Sequence, residues 1–363
     1  MELPKVLIEI LNFFKFLWAL FTVDSPKPLR LVNNPLSSKP FRLLHLPSLA
    51  HDVVFSEMST TDLYHLSKCS TRSRYAVRMF ARRQKYDFSI TADKSHYSLR
   101  IAKYFEGGFF HSDLRPMEIR KPLAEDSCIT YSEDVWVETK KEILYFFDVF
   151  TKKVNSLEFY DITIITKMTE FLKEKTVLPV DLAVYGIREI DDEMYKYVLK
   201  QFKDAKTLSI DASPSADFRF ADMEPFTGDF ISIKDADWLT VDNLTRCFMN
   251  FKKIQLWTSS RRYLNVHVFN QFLNAWRNGL KVGKLEFMWE CANFDLQSIF
   301  KNVPKTEVTR VELKYCTQVF GDGKCFLIRQ EESGVEALVY FNASFHRLYF
   351  TTDFRLLRDD EFN

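Results

Sequence analysis

Residue types able to do chemistry are present in this chain, but their spacing gives none of them a reaction. The seven histidines (His45, His51, His65, His96, His111, His267, His346) form no His-x-x-x-His pair and join no Cys/His cluster, so no zinc site can be read. The six cysteines (Cys69, Cys128, Cys247, Cys291, Cys316, Cys325) are scattered without a Cys-x-x-Cys pair. Inside helices and strands, free cysteines behave as small buried hydrophobes, and a chain of this length needs no disulfide framework. Gly321-Asp-Gly323-Lys324-Cys325 has the outline of a phosphate loop, but Gln318 stands where the loop needs glycine and no hydroxyl residue follows the lysine. A turn is expected there. No Gly-x-Ser-x-Gly elbow occurs, and the acidic pairs Asp191-Asp192 and Glu331-Glu332 sit where helix starts and turns favour carboxylates. The expectation is no catalytic residue, no metal and no cofactor.

One charged feature stands out. Lys68, Arg72, Arg74, Arg78, Arg82, Arg83 and Lys85 share a stretch with no acidic residue, and Arg74, Arg78 and Arg82 repeat at four-residue spacing. Against a net charge of +1, this reads as a solvated helix face that steers docking to an acidic partner, and no nucleic-acid partner is expected. Gly numbers only 9, which argues against folds built on Gly-rich loops, and Phe numbers 35, which points to a core of aromatic layers. At 363 residues the chain has room for a small domain and one large one.

The elements that position side chains begin with three short helices. Pro47 suits a first helical turn, where its missing N–H is not needed. Leu49 with Val53, and Val54 with Met58, give the first helix an apolar stripe. Ser59 and Thr60 are N-cap candidates for the second, with Asp62 favoured near its N-terminus and Leu63 and Leu66 on its buried side. Thr71 can cap a third, on which Tyr75 and Met79, and Ala76 and Phe80, repeat at four-residue spacing. Three helices this short bury too little surface to be comfortable alone.

Leu46-Pro47 at the opening and Leu66-Ser67-Lys-Cys69-Ser70-Thr-Arg72 at the close resemble the F-box of the large nematode F-box families. That resemblance implies a docking plug for the Skp-type adaptor of a cullin–RING ubiquitin ligase. It implies that Leu46, Pro47, Leu49, Val53, Val54, Leu63 and Leu66 face the adaptor or the small core behind it.

From about Val135 short strand-like pieces recur: Leu157-Glu-Phe159, Leu182-Ala-Val184, Leu208-Ser-Ile210, Ile231-Ser-Ile233, Ile254-Gln-Leu256, Leu285-Glu-Phe287 and Val311-Glu-Leu313, with first positions 23–31 residues apart. Helix-like stretches lie between most of them, at 164–175, 193–202, 241–249, 266–276 and 296–303, whereas 212–226 has two prolines and no helical period. One strand and one helix per step is a leucine-rich-repeat arrangement, in which no unit buries its apolar face without its neighbours. An unrelated α/β domain with chance spacing is the alternative. Asp237-Trp238-Leu239-Thr240-Val-Asp242-Asn-Leu244 and Asn270-Gln-Phe272-Leu273-Asn-Ala-Trp276-Arg-Asn-Gly279 resemble the type-2 F-box-associated domain of nematode proteins, which implies a substrate-facing region. The β-rich runs after Cys316 read as an antiparallel meander that caps the repeat stack. The segment before the repeats is less legible: 86–90 and 99–101 hint at strands and Gly107-Gly108 at a turn.

The expected fold is α+β, a small three-helix F-box followed by a degenerate leucine-rich-repeat-like α/β solenoid with a C-terminal antiparallel meander. Its parts are an amphipathic helix (1–24), a Pro-rich linker (25–40), the F-box (41–88), a connecting segment (89–134), the repeat region (135–316, with the F-box-associated domain at about 205–280) and the cap (317–363). Glu9, Asn12, Lys15 and Thr22 fall on one side of the N-terminal helix, which is read as folded on the body or on a membrane surface, ahead of a true anchor or a signal peptide. The sequons Asn243-Leu-Thr245 and Asn342-Ala-Ser344 keep a secreted, glycosylated reading open.

In a repeat strand the two apolar positions point inward and alternate residues point out. The outward set is Glu158, Tyr160, Tyr185, Ser209, Asp211, Lys234, Gln255, Trp257, Glu286, Met288, Glu312 and Lys314. Tyr160, Tyr185, Trp257, Glu286 and Met288 are the candidate substrate-binding residues, with Trp257 as anchor; packing of Trp257 under the meander is the alternative. The function read from all this is a non-catalytic substrate-recognition subunit of an SCF-type ligase in the cytosol or nucleus, with an unknown protein target. The alternatives are a repeat scaffold that recruits no ligase and a secreted or membrane-anchored recognition protein.

Overall fold

The computed structural model describes residues 44, 48–93, 96–101, 105–111, 128–222, 224–257, 266–280, 286–290, 295–308, 311–313, 325–342 and 347–356. The N-terminal helix, the Pro-rich linker, Leu46, Pro47, Lys314 and the expected turn at 321–324 lie outside the described residues. Contacts divide the chain into two units, residues 1–80 and 81–363.

The first unit holds three helices, α1 (Ser48–Glu57), α2 (Thr60–Cys69) and α3 (Thr71–Ala81). Ser59 caps α2: its Oγ accepts from the Asp62 N–H at 3.1 Å, and the Asp62 carboxylate accepts from the Ser59 N–H at 3.2 Å. At α3 the cap is Ser70 rather than Thr71. The Ser73 N–H donates to Ser70 Oγ at 3.0 Å, and the Ser70 N–H donates to Ser73 Oγ at 2.9 Å. Two serines three apart satisfy each other's backbone, leaving Thr71 as the exposed first residue of the helix. Val54, Phe55, Leu63, Val77 and Phe80 form the core of the unit. Phe55 is its centre, stacked on His51 at 5.7 Å and edge-on to Phe80 at 5.5 Å.

The second unit is built on one 14-stranded sheet. In chain order its strands are β1 (Phe88–Ala92), β2 (His96–Ile101), β3 (Phe105–His111), β4 (Cys128–Ser132), β5 (Ser156–Phe159), β6 (Asp181–Glu189), β7 (Thr207–Ser213), β8 (Phe230–Lys234), β9 (Lys253–Trp257), β10 (Glu286–Glu290) and β11 (Thr306–Val308). After β12 (Val311–Leu313) come β13 (Cys325–Arg329), β14 (Glu336–Asn342), β15 (Arg347–Thr351) and β16 (Phe354–Leu356). The α-helices are α4 (Val135–Val149), α5 (Ile162–Glu174), α6 (Asp192–Gln201), α7 (Val266–Arg277) and the single turn α8 (Leu296–Ile299), with a 3-10 turn at Ala236–Trp238 and a π-helix at Asn243–Phe248 between β8 and β9. The sheet order is β11-β13-β14-β15-β10-β9-β8-β7-β6-β5-β1-β2-β3-β4.

At its centre β1 and then β5 to β10 lie side by side and parallel. Ile90, Leu157, Leu182, Leu208, Ile231 and Ile254 stand in register across it, and Ala92, Phe159, Val184, Ile210, Ile233 and Leu256 form a second row. All twelve are buried. Burying one Leu or Ile side chain contributes about 1.5–3 kcal/mol, which is why these alternating apolar positions dictate the register. Helices supply the other side of this core. Phe146 of α4 packs on Phe88 at 5.5 Å, and α5, α6 and α7 each bury one apolar stripe. Between β7 and β8 no regular helix forms. Phe218, Phe220 and Phe226 fill that space, with Phe218 edge-on to Trp238 at 5.1 Å and Phe226 edge-on to Phe248 at 5.0 Å.

Several expectations change at the ends of the ladder. Residues 89–134, expected as a connecting segment, contribute strands to the main sheet, and β1 is the first parallel member. Gly107 and Gly108 lie inside β3, paired with Leu99 and Ser98, not at a turn. Val311–Leu313 leaves the ladder and pairs with β16 in a separate two-stranded sheet, because β15 already occupies the free edge of β10. The C-terminal strands β13, β14 and β15 are antiparallel, and they extend the sheet in its own plane.

Side chains of α7 lock this extension in place. Phe272 and Trp276 are fully buried and meet Phe350 of β15 edge-on at 5.2 and 5.3 Å. Asn270 Nδ2 donates to the carbonyls of Ile299 and Lys301 at 2.7 and 2.9 Å, and Gln330 Nε2 donates to those of Trp276 and Leu280 at 2.8 and 3.0 Å. Gly279, at φ +99°, turns the chain after the helix. The spaced Asn, Phe, Leu, Trp and Gly of 270–279 are therefore the residues that fasten α7 to its neighbours. Asn243 has a similar role. It is 2 % exposed, accepts from Thr240 N–H and Oγ at 3.1 and 2.9 Å, and donates to the Phe220 carbonyl at 2.9 Å. As a glycan acceptor it is inaccessible in this fold. The Asn342 side chain lies outside the described ones.

Candidate functional site

Two surfaces carry candidate residues, one in each unit. In the first unit the serines of the 66–72 signature satisfy backbone groups within and at the end of a helix, and the arginine reaches the chain ahead of α1. Ser67 is buried and its Oγ donates to the Tyr64 carbonyl at 2.6 Å. Ser70 caps α3, and Arg72 Nη2 donates to the Leu44 carbonyl at 2.9 Å, tying α3 to the chain ahead of α1. Of the sequence-derived adaptor residues, Val54 and Leu63 are buried within this small core and Leu66 is half-buried. Val53 points out, with 63 % of its surface exposed. Leu49 lies on α1, and its side chain is outside the described ones.

Two further exposed apolar side chains share one face of α3: Tyr75 at 56 % and Met79 at 43 %. The Arg78 guanidinium lies 5.5 Å from the Tyr75 ring. Exposed side chains of this size on a unit this small offer binding surface. Phe55 is the residue that sequence reasoning missed, and its spacing to His51 (i,i+4) was the available signal.

In the second unit the candidate surface is the sheet face that carries the alternate residues of the ladder. Thr91, Glu158, Ala183, Ser209, Ser232 and Gln255 stand in register across it. Beside them lie Tyr160, Tyr185, Asp211, Lys234 and Trp257, all partly exposed. An open groove of about 450 Å³ is lined by Tyr185, Asp211, Phe230, Ser232, Lys234 and Trp257, together with Ser209 and Gln255. Trp257 Nε1 donates to Ser232 Oγ at 3.1 Å, which fixes the indole across the β8–β9 pair. Trp257 is partly exposed there, and β15 pairs beyond β10 on the far side of β9.

Lys234 Nζ lies 2.5 Å from Asp211 Oδ1. Tyr160 and Tyr185 pair at 5.9 Å between ring centres, and burial, then the Glu158 carboxylate, raises the Tyr160 phenol above its ordinary pKa, so it is neutral. Next to Tyr185 the β6–β7 register shifts between Val184 and Ile187, a bulge of the kind that re-aims side chains at sites. Glu286 and Met288 fall on β10 in register with Lys253 and Gln255; their side chains, like that of Glu312 on β12, are outside the described ones. The structure thus brings Tyr185 and Trp257 to one groove, with Tyr160 beside Tyr185. Phe230 and Ser232 complete the lining and were not among the sequence candidates; the alternation that placed Ser209 outward also places Ser232 outward between Ile231 and Ile233, whereas Phe230 reads as an apolar core position.

Among the described residues no group of His, Cys, Asp and Glu could hold a metal ion, and no helix is long and apolar enough to cross a membrane. Burial pushes the Cys247 and Cys325 thiols up to about 11, leaving both as unreactive core residues.

The F-box domain model matches residues 43–85, so the three helices are an F-box domain. No curated protein and no solved structure is significantly similar to the chain.

Proposed function

We propose that the protein is the substrate-recognition subunit of an SCF-type ubiquitin ligase, acting in the cytosol or nucleus. The F-box over residues 43–85 carries this reading, since such domains typically bind Skp-type adaptors. In it, Leu46, Pro47, Leu49, Val53 and Leu66 face the adaptor, with Val54 and Leu63 as the core that supports them. Interfaces of this kind concentrate their energy in a few apolar anchors. The ladder of parallel strands would then serve as a leucine-rich-repeat-like platform for a protein target, with Tyr160, Tyr185, Trp257, Glu286 and Met288 on its open face. The resemblance of 237–244 and 270–279 to the type-2 F-box-associated domain of nematode proteins supports the same division of labour. The chain itself would be non-catalytic. Its contribution to ubiquitin transfer is tethering, which makes a bimolecular encounter nearly intramolecular.

Co-purification with a Skp-type adaptor and cullin tests the reading. Leu46→Ala with Pro47→Ala should abolish capture while the thermal unfolding of the sheet unit is unchanged. Wild-type capture by the double variant would overturn the proposed contact.

A further inference from the structure

We infer that the groove on the open face of β6–β9 binds a short, extended and uncharged peptide segment anchored by one aromatic or long aliphatic side chain. The inference deepens the target-binding half of the proposed function and names the chemistry of the target.

The dimensions point to an extended chain. The lining residues come from four adjacent strands, β6 to β9. Strands spaced about 4.8 Å apart put about 14 Å between the first and the fourth, the length of about four residues in extended conformation. A volume of about 450 Å³ sits at the lower end of the range for ligand sites, about 300–1,000 Å³. That suits one large side chain and the backbone on either side of it.

The charge in the groove argues for a neutral occupant. Lys234 and Asp211 are 2.5 Å apart and satisfy each other. A phosphate would have to displace Asp211 from Lys234, and a guanidinium or ammonium would have to displace Lys234 from Asp211. Each of these ligands leaves one charge of the pair stranded beside it. A neutral segment leaves the pair intact.

Aromatic surface and fixed polar groups argue for a peptide with a bulky anchor. Trp257 has its indole N–H committed to Ser232, so its ring is held in one position before any ligand arrives. Tyr185 is steadied by Tyr160, and Phe230 adds a third ring to the lining. Rings immobilised in advance lose little entropy on binding, and Trp and Tyr dominate hot spots for that reason. Ser209, Ser232 and Gln255 offer hydroxyl and amide groups in the row beside them, suited to the N–H and C=O groups of a backbone that lies across the strands.

The test is selection of phage-displayed random peptides on the purified full chain, followed by affinity measurement on the enriched sequences. Enrichment of one Trp, Phe, Leu or Met within uncharged flanks is expected, with affinity little changed as ionic strength rises. Trp257→Ala should weaken binding about tenfold or more. Lys234→Glu keeps the anchor but makes the groove acidic, and selection on it should shift toward Lys- and Arg-containing peptides. Enrichment of charged peptides on the natural chain, absence of any enrichment, or full binding by Trp257→Ala while Lys234→Glu changes nothing would each overturn the inference. Adaptor capture, measured on the same preparations, separates the two proposals. Capture without peptide binding removes the groove, and peptide binding without capture removes the ligase role.

Discussion

The F-box and the sheet face differ in how far apart the residues lie that build them. In the F-box most of the signature's hydrogen bonds are local, Ser59 with Asp62, Ser70 with Ser73 and Ser67 with Tyr64, and Arg72 to the Leu44 carbonyl is the longer tie. A signature of this sort is written into consecutive residues, and a short stretch of sequence is enough to recognise it. The groove draws Tyr185, Asp211, Lys234 and Trp257 from four strands, with 23–26 residues of sequence between one and the next. On the proposed function, adaptor docking rests on the local design and target recognition on the scattered positions, which can change one at a time without disturbing a core.

Disrupting each region separately tests this contrast. Phe55→Ala should have the largest effect, about 3–5 kcal/mol, since it empties the centre of a small core. Denaturant unfolding should show the loss, and adaptor capture should fail with it; wild-type stability would remove Phe55 from the core. Gly228→Ala attacks the other unit. A Cβ there would lie 2.4 Å from the Ala205 carbonyl oxygen and 2.4 Å from the Phe251 ring. Because a backbone atom cannot swing aside, a cost of about 3 kcal/mol is expected. A lowered melting temperature with adaptor capture intact would show the two regions to be separable, and loss of both together would break the contrast.

Asn270→Ala removes the donor to two loop carbonyls and should cost about 2 kcal/mol. Limited proteolysis should then open the chain near 299–303 before the rest of the sheet, and unchanged protection would refute the fastening role. The smallest effect is at the cap of α3. Ser70→Ala should cost about 1 kcal/mol, and Thr71→Ala should be nearly silent in the same unfolding experiment. The reverse ranking would return the cap to Thr71.

What the sequence discloses follows the same divide. Ser59 and Asp62 are legible because a capping box is a pattern of fixed offset. The strands at Leu157, Leu182, Leu208, Ile231 and Ile254 are legible because inward positions alternate within each short run. Pairing partners are another matter. Nothing near Val311 says that β15 will take the place beside β10, and nothing near Phe88 says that it pairs with a strand some seventy residues on. Gly107-Gly108 has turn composition, yet β2 and β4 flank it on both sides and hold it extended. Asn243 reads as a surface sequon until the backbone of Phe220 arrives to claim its amide. Even Trp257, the candidate chosen from its position, owes its fixed orientation to Ser232 on the neighbouring strand.

The parallel ladder is closed at both ends by strands of opposite direction, β2 against β1 and β15 against β10. An unpaired strand edge is a template for pairing with another chain, and neither end of the parallel ladder offers one. A further parallel strand could enter only by separating two strands that are already paired, and between β6 and β9 that would part the walls of the groove.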